Sequence, residues 1–221
     1  MTTLFDKIIQ FILYMTSKYK IDDSHGISHS FDILHHTYEL YREECEKNPE
    51  LKNQEKIIYI SALLHDVCDK KYMNEEQGMN EIIEFLSERE LDSNEITIIR
   101  RIIETMSYSK VIKNGFPDLG EYQLAYHIVR ESDLLCAYNV DRCIIFHLHN
   151  QTENIEQAIL NAETLFQERV FKHQENGLIL LNYSKRMIPF LENQSMVRLE
   201  RLKKIQISGM RAKTAFSGAP L

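Results

Sequence analysis

The sequence predicts an all-α protein, and three observations carry that expectation. Helix breakers are scarce, with four Pro and seven Gly in 221 residues. Leu, Ile, Glu and Lys are abundant, a composition that favours helices. No stretch alternates apolar and polar residues well enough to read as a strand.

The elements follow in order from apolar periodicity and stop signals. A first helix covers about residues 3–19, where Leu4, Phe5, Ile8, Ile9 and Ile12 share one face and should pack on a core. A second covers about 25–47, with N-cap candidates in Asp22-Asp23-Ser24 and a stop near Asn48-Pro49. A third, about 54–67, carries the run Ile57 to Leu64 and ends at His65-Asp66. A polar loop follows through Asp69-Lys70-Lys71-Tyr72.

A fourth helix spans about 75–89 from a polar start at Asn74, and Ser93 is the expected N-cap of a fifth, about 94–107. A loop with Gly115, Pro117 and Gly120 precedes a sixth, about 121–138. Further helices are expected at 140–149, 153–171 and 176–203. From residue 206 the periodicity fades, which predicts one helical domain over 1–205 and a flexible tail over 206–221.

Bulk properties narrow the function classes. The chain is 43% hydrophobic and 27% charged, with a net charge of −7. Without sustained basic patches it is not expected to bind nucleic acid. The apolar N-terminal segment holds internal charges, lacks a cleavage site and is too short to span a bilayer. Cys45, Cys68, Cys136 and Cys143 lack C-x-x-C spacing, so reduced thiols in a cytoplasmic protein are expected.

The chemistry concentrates at His65-Asp66. A core-building helix has no packing reason to end in a nitrogen ligand followed by an oxygen ligand, and burial of either is costly without a partner or a metal. Candidate partners are His25 and His29 upstream and Asp133 downstream. His25 and His29 are four residues apart, about 40° around a helix, and share a face; at that spacing solvated surface residues are the plainer alternative. Asp133 lies against the apolar Leu134-Leu135-Cys136-Ala137, where a salt bridge with Arg130 or Arg142 is the alternative to metal ligation. Glu131 reads as a surface residue or a neighbour of the site.

These residues resemble the HD-domain metal-dependent phosphohydrolases, whose pattern is H…HD…D on a helical bundle. His29, His65, Asp66 and Asp133 match the four ligand positions in order. Leu63 to Tyr72 and Met106-Ser107-Tyr108-Ser109-Lys110 are similar to segments of one branch, the nucleotide pyrophosphohydrolases. Two positions depart from the pattern: Asp32 stands where many members carry Arg, and Gly26 where Asp often follows the upstream His.

The resemblance implies an HD-like bundle that hydrolyses (deoxy)nucleoside triphosphates to monophosphate and pyrophosphate through attack of a metal-bound water. His25 would stand behind the ligands. Mixed N/O ligation suits one Mn²⁺ per chain, with Mg²⁺, Fe²⁺, Co²⁺ or Ni²⁺ also compatible. His127 is the sole histidine between Asp66 and Asp133, and it should point away from Asp133, which favours a single ion.

Asp69 is the candidate general base, with loop capping as its alternative, and Lys70 joins it as a catalytic candidate. Lys70, Lys71, Lys110, Lys185 and Arg186 are candidate phosphate contacts, and Tyr108 stacks on a base or simply packs. The partner is a small-molecule nucleotide, with no membrane; a homodimer stays open. Two alternatives remain: a nucleotidase or phosphodiesterase on monophosphates or cyclic nucleotides, and a non-catalytic nucleotide-sensing scaffold.

Overall fold

Ten α-helices joined by short connections make up the described part of the chain, residues 3–152 and 154–216 of a computed structural model, and no strand occurs among them. They are α1 (Leu4–Tyr19), α2 (Ile27–Lys47), α3 (Glu55–Leu64), α4 (Glu75–Ser87), α5 (Ser93–Thr105), α6 (Tyr108–Asn114), α7 (Gln123–Cys136), α8 (Val140–Asn150), α9 (Ile155–Glu168) and α10 (Asn182–Phe216). The result is an all-α bundle.

Capping chemistry sets several boundaries. Thr3 and Asp6 form a capping box at α1, with the Thr3 hydroxyl accepting from the Asp6 N–H at 3.1 Å. α5 is capped by Asp92 rather than Ser93: its carboxylate accepts from the Asn94 and Glu95 N–H groups at 2.8 Å, and Glu95 returns to the Asp92 N–H at 2.9 Å. Aspartate followed three residues later by glutamate satisfies more of the orphan donors than Ser93 could.

The start of α2 also departs from expectation. It begins at Ile27 behind Gly26, with no side-chain cap. Asp22 is drawn away instead, accepting from Ser24 N–H (2.9 Å), Tyr72 hydroxyl (2.7 Å) and Asn150 amide (2.8 Å). His25 therefore sits in the turn before the helix rather than on its face.

α6 falls where the sequence suggests only a segment leading into a loop. Seven residues are too few for an apolar period to register. It stops at Gly115, whose φ of 75° suits glycine and whose N–H reaches Val111 O at 2.8 Å. A 3₁₀ turn, Pro49–Gln54, leads into α3. α10 starts at Asn182 and runs through 206–216; residues 217–221 of the expected tail lie outside the described residues.

The centre is α2, α3 and α7, packed on one another, with α5 against α3 and α8 against α9. Ile33, Ile58, Leu64, Ile102, Val129 and Phe166 are fully buried there. In α1, Ile8, Ile12 and Met15 face this core, whereas Phe5 is 45% exposed. A hydroxyl bridge from Thr37 to Ser132, 3.0 Å, ties α2 to α7. All four cysteines are free thiols. No helix among the described residues is long and apolar enough to cross a membrane.

Burial of histidines makes stability pH-dependent. Burial holds His36 and His127 down to about 4, and His25 and His173 to about 3. The folded chain keeps these rings neutral where the unfolded chain protonates them, so unfolding takes up protons below about pH 6.5. Denaturant unfolding should give a lower free energy at pH 5 than at pH 7, with a slope of about 1.4 kcal/mol per pH unit for each proton taken up. Equal stability at the two pH values would contradict the assignment.

Candidate metal centre

Three central helices converge on one point. α3 ends at Leu64, so His65 and Asp66 occupy the turn that follows rather than a last helical turn. Both side chains nevertheless reach the same place, because the end of α3 leaves room around the point where His29 Nε2 stands. His29 comes from the first turn of α2, and Asp133 from the last turn of α7.

The distances are short and mutual. His29 Nε2 lies 3.2 Å from His65 Nε2, 3.1 Å from Asp66 Oδ2 and 3.6 Å from Asp133 Oδ1. His65 Nε2 lies 3.3 Å from Asp66 Oδ1 and 3.6 Å from Asp133 Oδ1. The imidazoles are buried, while both carboxylates are half-buried and open toward a cleft. Within the cluster, ligand atoms of His29, His65 and Asp133 all lie within 4.8 Å of one another.

These residues fit a divalent ion. Two metal–nitrogen bonds of about 2.1 Å meeting at 90–110° separate their nitrogens by about 3.0–3.4 Å, which brackets the 3.2 Å found between His29 and His65. The His65 Nδ1–H donates to Ala62 O at 2.8 Å, which turns Nε2 toward the cluster as the nitrogen that would ligate an ion in exchange for its proton.

Burial works against charge on every member, yet the carboxylates prevail. Burial alone would raise Asp66 and Asp133, but the adjacent His65 holds both well below the usual carboxylate range. Burial would lower His65; Asp66 and Asp133 instead push it up to about 10. Burial and Arg142 keep His29 down. Two carboxylates and two imidazoles are a donor set of the kind that divalent cations take, with Arg142 offsetting part of the negative charge.

Around the cluster the expected residues divide. His25 stands behind His29, ring centroids 6.5 Å apart, and is held by Ser24 Oγ (2.6 Å) and Tyr72 hydroxyl (2.9 Å) on Nδ1 and by Lys71 Nζ (2.8 Å) on Nε2. Asp69 shapes the loop, accepting from the Lys71 N–H at 2.8 Å, and it also borders the cleft beside Asp66 and Asp133. Lys70, Lys71, Lys110 and Tyr108 line the cleft. Lys110 is paired with Glu75, and Lys71 with Asp69 at 3.3 Å.

Lys185 and Arg186 are not among the residues lining this cleft. Arg186 is an ion-pair partner of Glu43 on α2, which corrects its expected phosphate contact. Glu131 is neither a surface residue nor a neighbour of the cluster. It is fully buried, paired with Arg130 at 3.1 Å, and accepts the Leu180 N–H at 2.8 Å. His127 is engaged with Gln123 (3.1 Å) and the Phe116 ring, away from the cluster.

Two arginines join the site: Arg142, expected as a salt-bridge alternative for Asp133, and Arg169, which the sequence does not single out. Arg142 on α8 reaches Asp66 Oδ2 at 3.2 Å and Asp133 Oδ1 at 3.9 Å, and donates to Ser24 O. Asp133 thus has both of its sequence alternatives at once, ligand neighbours and a salt bridge. Arg169, just after α9, lies over the Tyr108 ring at 4.0 Å and lines the cleft. A roomier cavity of about 400 Å³ beside Asp32 and His36 contains no member of the cluster, and its Arg198 is already paired with Asp141 at 2.8 Å.

Comparison with family models and with curated proteins gives no match. Among solved structures, the chain is similar to a Lactobacillus plantarum protein determined as a structural-genomics target. The TM-score is 0.69 at 20% identity, over 94% of this chain and all of that one. At that identity the likeness concerns the fold.

Proposed function

We propose that this chain is a metal-dependent phosphohydrolase that cleaves nucleoside triphosphates to a monophosphate and pyrophosphate. One observation carries the reading: His65, Asp66 and Asp133, with His29 buried behind them, open onto a cleft whose walls bring Lys70, Lys71, Lys110, Arg142 and Arg169 together, in a chain whose net charge is −7. A triphosphate needs several cations along its length, whereas a monoester or cyclic ester needs few.

Each residue then has a task. His29, His65, Asp66 and Asp133 would hold a divalent ion, which when bound would acidify the attacking water and offset charge on the attacked phosphate. Asp69, oriented by Lys71, takes the proton from the attacking water. Lys70 and Lys110 hold the leaving pyrophosphate, with Lys110 exchanging Glu75 for a phosphate oxygen. Arg169, kept in place by the Tyr108 ring, adds a planar donor fork toward the same oxygens.

The test is a screen of the common NTPs and dNTPs with Mn²⁺, with the products identified. Pyrophosphate with a nucleoside monophosphate is the expected result. Orthophosphate as the first product, or ring opening of a cyclic nucleotide, would point to the esterase alternative. Metal and nucleotide binding without turnover would point to a sensor.

A further inference from the structure

The cleft is made of two hollows that meet at the metal cluster. They share Asp66, Asp69, Lys71, Tyr108, Asp133 and Arg169. Beyond that junction they diverge in chemistry. One, about 130 Å³, continues among Lys70, Ser109, Lys110 and Glu75 over a floor of Ile103 and Met106. The other, about 260 Å³, passes Arg142 and Asn139 and continues between Leu134, Phe146, Leu165 and Val170.

Arg142 stands with Asp66 at the mouth of the second hollow, where it can reach the phosphate at the junction; deeper in, a phosphate chain would set charged oxygens against Phe146, Leu165 and Val170 and lose hydration there. A planar ring with polar edges does suit that part. The polar groups at its wall include the neighbours His147 and Gln151, one helical turn apart. The His147 Nδ1–H donates to Gln151 Oε1 at 2.6 Å. That bond leaves His147 Nε2 as an acceptor, and this atom is buried without a partner, on a residue only 6% exposed. Gln151, its oxygen occupied, retains both amide N–H donors. A buried acceptor without a donor calls for one, and a ring N–H or exocyclic amine supplies it.

We infer that the larger hollow receives the nucleobase, that the smaller receives the departing pyrophosphate, and that His147 and Gln151 determine base preference. The inference rests on the nucleotide reading above. It also sets the direction of the substrate across the metal cluster, with the α-phosphate at the junction. Discrimination follows from the hydrogen-bonding edge: a base that leaves His147 Nε2 unpaired binds less well than one that donates to it.

The test uses the full chain with Mn²⁺ and compares wild type with Gln151→Ala and His147→Gln. Gln151 is exposed, so its variant is expected to fold, and circular dichroism checks both. Two quantities are read: kcat/KM across the common NTPs and dNTPs, and inhibition by inorganic tripolyphosphate, which lacks a base. The expected result is a change of about tenfold or more in the ratio between preferred and disfavoured bases, with tripolyphosphate inhibition within twofold of wild type. An unchanged base ratio in Gln151→Ala, or a parallel loss for all substrates and for tripolyphosphate, would overturn the assignment. If the wild type hydrolyses no nucleoside triphosphate, the proposed function fails together with it, a result distinct from either of those.

Discussion

Asp66→Ala should abolish nucleotide hydrolysis and remove metal binding together. Asp66 is within 3.1 Å of His29 Nε2 and 3.3 Å of His65 Nε2, so its loss takes away one ligand and half of the cluster's negative charge. Removing a hydrogen-bond partner behind a ligand already costs about 10–100-fold in metal affinity, and a ligand itself should cost more. Calorimetric titration with Mn²⁺ measures this without reference to activity. In the wild type, Mn²⁺ at about 100 times its Kd should add about 2.7 kcal/mol to the unfolding free energy; Asp66→Ala should gain almost none at the same concentration. Wild-type affinity in the variant would show that the cluster is not the metal centre.

The second large effect concerns stability. Glu131→Ala leaves the Arg130 guanidinium buried without its counter-ion, since Arg130 is 1% exposed and Glu131 wholly buried. It also strips an acceptor from the Leu180 and Leu181 N–H groups, which Glu131 binds at 2.8 and 3.1 Å. Burial disfavours both charges, raising Glu131 and lowering Arg130, so each depends on the other. Breaking such a pair from one side costs about 3–5 kcal/mol, which at this chain length corresponds to a fall in Tm of roughly 10 °C. Differential scanning calorimetry measures it. A Tm within 2 °C of wild type, about the smallest shift expected per kcal/mol, would mean that the pair is not structurally required.

How legible the site was in the sequence varied with the range of the interaction. His65-Asp66 stands out because two ligand types adjoin an apolar run, a contradiction visible within ten residues. His29 and Asp133 follow from the H…HD…D order, and the packing of α2, α3 and α7 brings them to it. Arg142 entered only as a salt-bridge alternative for Asp133, and Arg169 carries no mark at all. Arg142 lies in an ordinary helix and Arg169 just past the end of one, and only the placement of α8 and α9 turns them toward Asp66 and Tyr108. Lys185 and Arg186 show the reverse: a basic pair suggestive in sequence, of which Arg186 is committed to Glu43.

Glu131 makes the same point within a single helix. It is two residues from Asp133, close enough for the sequence to suggest a shared environment, yet about 200° away around α7. Asp133 faces the cleft and Glu131 faces Arg130 and the chain entering α10. Sequence distance put them together; helix geometry and the packing of α10 set them apart.

By itself the amino-acid sequence determined the helical class, nearly all the helices and the four candidate ligands, because apolar period, capping residues and ligand type are local properties. Only the tertiary structure decided that the end of α3 meets α2 and α7 at His65 and Asp66, which cations surround them, and that the cleft divides into a lysine-lined hollow and a larger one walled by Phe146 and aliphatic side chains beside Arg142. Those features join residues up to more than a hundred positions apart, as Ser24 and Arg142 are, and such contacts exist only once the packing of the helix faces has chosen them.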